Sequence, residues 1–102
     1  MISSYLQQLT QLLNQIPRRY TTDNLKEMYG LIDAYDTILL ELEADTTYET
    51  LVADYFDTLD TIRAATKKST DNKASKKQKD DYFDAAATTF KNSVTDLMAI
   101  VQ

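Results

Sequence analysis

Apolar side chains recur along this chain in steps of three and four, in four separate runs. The first is Ile2, Tyr5, Leu9, Leu12 and Ile16, and the second is Leu25, Met28, Ile32, Tyr35, Leu39 and Leu42. The third is Tyr48, Val52, Tyr55, Leu59 and Ile62, and the fourth is Phe83, Ala86, Phe90, Val94, Leu97 and Val101. Such spacing gathers each set on one side of an α-helix, whereas a half-buried strand alternates every second residue. Each helix then has one stripe to hide, and four helices packed together hide all of them. One Gly and one Pro in 102 residues are too few for the many tight turns of a β-fold. The expected fold is all-α: a small antiparallel four-helix bundle, one domain over residues 1–102, with helices near 4–16, 24–44, 47–68 and 76–101.

The helix starts carry their own signals. Ser4 with Gln7, Thr46 with Glu49 and Ser75 with Gln78 fit the capping box, in which a hydroxyl accepts from a free N–H and the residue three on reaches back. Asn24 with Glu27 is a weaker version. Pro17 ends the first helix, because it lacks an N–H and clashes with the preceding turn. The short connections make neighbouring helices antiparallel. Ser69-Thr70-Asp71-Asn72-Lys73 offers local side-chain bonds in place of helix, so residues 69–75 are expected to be the most mobile internal segment.

Two absences restrict the chemistry. The chain has no His and no Cys. It therefore lacks the commonest general base and transition-metal ligand, any Ser-His or Cys-His triad, any thiolate metal site and any disulfide. No apolar run approaches the length of a membrane span, and Met1-Ile2-Ser3-Ser4 does not open a secretory leader. The expected location is cytoplasmic, with leaderless export as the other route.

Charge is distributed unevenly. Between Glu27 and Ile62 lie ten carboxylates and no Lys or Arg, while between Arg63 and Lys79 lie seven basic residues and one Asp. Helices 2 and 3 thus form an acidic hairpin followed by a basic loop. Like charges along a helix repel, and a field of one sign steers an oppositely charged partner. The candidate contacts are Asp33, Asp36, Glu43, Asp54, Asp57 and Asp60. The competing explanation is that the basic segment 67–79 folds back and neutralises the hairpin within one molecule.

Other constellations are weaker. Asp54, Asp57 and Asp60 share a helix face, but a row of ligands cannot wrap Ca²⁺ or Mg²⁺. Glu41 and Glu43 point to different faces and do not make an acid–base pair. Segment 67–79 lacks an aromatic for base stacking, and the hairpin repels polyanions. No catalytic residue, metal, cofactor or nucleic acid is expected. Tyr5, Tyr29, Tyr35, Tyr48 and Tyr55 lie on or beside the stripes, where Tyr packs its ring and keeps its hydroxyl at the rim. Tyr20, outside every stripe, is the expected exposed aromatic. Gly30, inside a helix, suggests a close helix contact or a mild kink.

Met28-Tyr29-Gly30 is similar to the Trp-x-Gly turn of the small helical substrates of type VII secretion. Tyr29-Gly30-Leu31-Ile32-Asp33 and Phe56-Asp57-Thr58-Leu59-Asp60 have the spacing of that group's export signals. The chain has no Trp, and four expected helices replace that group's two. Bacteriocin immunity proteins match in size and helix count alone. Neither likeness rests on a full motif. The expected function is a non-catalytic protein-binding module, of inhibitor, immunity or antitoxin type, that sets the acidic hairpin against a basic protein surface. The alternative is a structural or type VII secretion-associated protein that self-associates, in the simplest case as a homodimer.

Overall fold

The structure is a computed structural model and describes residues 4–101; Ile2 of the first stripe lies outside them. The described residues form four helices, α1 (Ser4–Gln15), α2 (Thr22–Glu43), α3 (Ala53–Lys68) and α4 (Lys76–Val101), and no strand. In cross-section they run around a ring, α1 against α2, α2 against α3, α3 against α4, and α4 back against α1. The bundle is a rod of 45 × 23 × 17 Å with a radius of gyration of 14.1 Å. An equally long compact chain has about 13 Å, and α4, at 26 residues, sets the length.

The stripes meet along the axis. Leu9, Leu12, Ile32, Leu39, Val52, Leu59, Phe90 and Leu97 are all buried, within one continuous core. One polar link crosses it. Tyr35 of α2 is fully buried, and its hydroxyl shares a 2.7 Å hydrogen bond with Ser93 Oγ of α4. Its ring leans on Phe90, 5.3 Å between centroids. These residues join two helices that face each other diagonally. Burial raises the Tyr35 hydroxyl above its ordinary pKa, while the bond to Ser93 works against that rise. Among the described residues no buried side-chain N or O lacks a partner.

Side-chain caps start α2 and α4, and α3 starts without one. Ser75 realises the capping box in both directions: Gln78 N donates to Ser75 Oγ at 3.1 Å, and Ser75 N donates to Gln78 Oε1 at 2.9 Å. At α2 the cap is Thr21, whose Oγ1 accepts from Asn24 N at 2.9 Å, while the Asn24 amide reaches Arg19 O. Asn24 is therefore three residues inside the helix. Thr46 caps nothing. Asp45 Oδ1 takes the Thr47 N–H instead, and the backbone makes turns onto Asp45 O and Tyr48 O before α3 begins at Ala53. This side chain competes locally with helix. Tyr48 and Val52 still pack on the core, but from the connection. Ser4 holds the Gln8 amide, not Gln7.

Two further expectations change. Tyr20 is half-buried, edge-on to Phe83 at 5.9 Å, whereas Tyr29 and Tyr82 are the exposed aromatics. Gly30 makes no close approach, since a Cβ there meets nothing within 4 Å. In the segment 69–75, Ser69 is anchored: it is buried and its hydroxyl donates to Thr66 O.

Tyr35→Phe and Ser93→Ala should each lower the unfolding free energy by about 1–3 kcal/mol, because each strands a buried hydroxyl. The double variant should cost less than the sum of the two. Urea unfolding of the four proteins measures the coupling, and strict additivity would show that the bond holds nothing. Gly30→Ala should stabilise the protein by up to about 1 kcal/mol, as an unhindered helix-interior Gly allows. A melting temperature that drops in that variant contradicts the open site.

Candidate partner-binding surface

The expected contacts divide into two groups. An α-helix turns 100° per residue, so Asp33, Asp36, Leu40 and Glu43 lie within one stripe of α2. The stripe faces outward beside α3, where Arg63 reaches across. Arg63 Nη2 lies 3.5 Å from Asp33 Oδ1 and 3.4 Å from Asp36 Oδ2. Arg63 follows Phe56 by seven residues and shares its side of α3; Phe56 is half-buried. Asp60 lies next along that helix face and Asp57 beyond it, both exposed.

Asp54 is turned the other way. It lines an open groove between α3 and α4 with Tyr55, Thr58, Thr89, Asn92, Ser93 and Asp96. Burial, and then the nearby Asp96 charge, raise the Tyr55 hydroxyl above its ordinary pKa. The six acids thus do not form one patch. Asp33, Asp36 and Glu43 share a stripe, Asp57 and Asp60 flank α3, and Asp54 belongs to a separate groove.

Among the described residues the ion pairs are those of Arg63 and the pair Lys77–Asp81 at 3.2 Å within α4. Segment 67–79 therefore does not fold back onto the hairpin. Its Lys68 sits instead over the Tyr82 ring, 5.8 Å from the centroid. The neutralising residue is Arg63, immediately after the acidic run. It covers only Asp33 and Asp36, through partly exposed pairs of the kind worth about 0–1 kcal/mol.

Leu40 stands out in this stripe. It is 51 % exposed, more than any other large apolar residue described, in the midst of carboxylates. Leu51, in the α2–α3 connection, is exposed to a similar degree. Sequence reasoning passed over Leu40 because it falls off the buried seam of Leu39 and Leu42. That misfit was the available signal.

No known protein family, curated protein or solved structure matches this chain. Its surface must be read from its own chemistry. Among the described residues no three carboxylates gather as they would around a metal ion, and no helix is long and apolar enough to cross a membrane.

Charge also runs against two helix dipoles. The last turn of α2 holds Glu41 and Glu43 and no basic residue, and the first turn of α4 holds Lys76, Lys77 and Lys79 and no acid. Each misplacement of this kind costs about 0.3–1 kcal/mol. In α3 the arrangement is the favourable one, with Asp54 in the first turn and Lys67 and Lys68 in the last.

Asp57 and Asp60 sit three apart on α3, and among the described residues neither has an ion-pair partner. Asp57→Asn with Asp60→Asn should raise the unfolding free energy by a few tenths of a kcal/mol, about 0.2–0.5, by relieving like-charge repulsion. The gain should shrink in about 0.5 M NaCl. Destabilisation at low salt would mean that these carboxylates hold the fold together.

Proposed function

We propose that this protein is a non-catalytic protein-binding module whose α2–α3 hairpin receives a basic protein surface. The observation that carries this reading is Leu40, an exposed leucine on one stripe with Asp33, Asp36 and Glu43. An apolar centre inside a charged rim is the usual anatomy of a protein interface. The carboxylates steer a cationic partner and raise its on-rate. Leu40 supplies apolar area that such a partner desolvates. Arg63 fixes the orientation of Asp33 and Asp36 without cancelling the charge of the whole hairpin. The absence of His and Cys fits a role without chemistry, and inhibitors, immunity proteins and antitoxins act in this manner.

A basic amphipathic helical peptide of Lys and Leu, labelled with a fluorophore, is a direct probe of the face. Binding followed by anisotropy should weaken by about tenfold or more between about 50 and 300 mM NaCl, as expected when several exposed charges contribute. Leu40→Asp should weaken binding by a further tenfold with the fold intact by circular dichroism. Asp33→Asn with Asp36→Asn should slow association more than it speeds dissociation. A peptide that binds the Leu40→Asp protein as tightly as the original would overturn the proposal, as would binding indifferent to salt.

A further inference from the structure

The two ends of the rod carry opposite charge. At one end the α1–α2 and α3–α4 connections meet: Tyr20 packs on Phe83, and Arg18 and Arg19 share a groove with Lys76. Residues 16–26 and 67–84, which make this end, hold nine Lys and Arg against five Asp, a net charge of +4, with Asp80, Asp81 and Asp84 lining the same groove. At the other end Tyr5 packs on Tyr48, and Asp54 faces Asp96 across the α3–α4 groove. Residues 4–10, 41–54 and 96–101, which make that end, hold six carboxylates and no Lys or Arg.

The geometry points to head-to-tail association, in which the basic end of one copy seats on the acidic end of the next. Three observations select a second copy as the occupant. The first is charge complementarity between two surfaces that every copy carries. The second is the separation of the ends along a 45 Å axis. At physiological ionic strength charges are screened beyond about 8 Å, so two apposed ends attract although whole molecules of net charge −5 repel. The third is the pair of misplaced charge sets. Glu41 and Glu43 oppose the dipole of α2, and Lys76 and Lys77 oppose that of α4. Both sets gain counter-charge in the head-to-tail contact; among the described residues the exposed Lys77–Asp81 pair is the one ion pair either set makes, with Asp80 and Asp84 lining the groove beside Lys76. Such a contact joins two different surfaces and does not close on itself, so it produces open chains in place of a dimer. The acidic end adjoins the Leu40 face and shares Glu43 with it, so the two readings are separated by which end is altered.

Sedimentation velocity of the intact protein, from about 10 µM to about 1 mM, tests it. In about 100 mM NaCl the weight-average mass should rise past that of a dimer without a plateau, and in about 500 mM NaCl, where the screening length is near 4 Å, it should return to the monomer. Glu41→Lys with Glu49→Lys cuts the charge of the acidic end from −6 to −2, and Lys73→Glu with Lys76→Glu removes four units of positive charge from the basic end. Glu41→Lys and Lys76→Glu each improve the charge at a helix terminus, so folding is not at risk. Each double variant alone should remain monomeric, and an equimolar mixture of the two should associate again. A wild-type protein monomeric throughout overturns the inference. So does association that survives high salt, a double variant that associates as the wild type does, or a mixture that stays monomeric. Asp33, Asp36 and Leu40 are untouched in both variants. Capture of the Lys–Leu peptide is read on the Lys73→Glu/Lys76→Glu protein, whose hairpin and acidic end are unchanged, and its failure there bears only on the hairpin face.

Discussion

Everything in this molecule depends on hiding four apolar stripes along one axis. Without a disulfide, the folded state is held by mutual burial of those stripes. The stripes alone do not fix how far one helix slides along another, because apolar contact is non-directional. Tyr35 supplies direction. Its hydroxyl finds Ser93 on the diagonally opposite helix, and a slip of one turn would leave both groups buried and unbonded. A pair of this sort makes registers other than the native one costly, which suits a core otherwise built mainly of aliphatic side chains.

The architecture was legible in the sequence because periodicity reports which residues are buried, and burial decides this fold. Leu9, Leu12, Ile32, Leu39, Val52, Leu59, Phe90 and Leu97, drawn from all four stripes, are all buried. Local chemistry was less legible where two side chains compete for the same backbone groups. Thr21 and Asn24 both suit an N-cap, and only the path of the chain from Arg19 settles which one serves. Asp45 and Thr46 compete in the same way, and the carboxylate at Asp45 prevails by taking the Thr47 N–H.

The surface was legible only as composition. Counting acids along the chain found the charged hairpin but stopped one residue short of Arg63, the side chain that spans it. The count also merged Asp54 with Asp57 and Asp60, although rotation along α3 carries Asp54 round to the α4 side. Charge sums along a sequence add up what a bundle then sorts onto separate faces and ends. Leu40 shows the converse. A residue that fits no stripe is uninformative for the fold, and for that reason it is informative about the surface.

The short first helix has a consequence for biosynthesis. α1 has 12 residues, none charged, and it packs against α2 and α4. Helices of this length are marginal in isolation. On the ribosome α1 emerges long before α4, and at about 5–20 residues per second several seconds pass before its second wall exists. During that interval Leu9, Leu12 and Ile16 have only α2 to lean on, and no nearby charge on α1 keeps the nascent segment from sticking to another. The chain closes by bringing its earliest helix to its latest, so the risk of misassembly is concentrated in the time that α1 waits for α4.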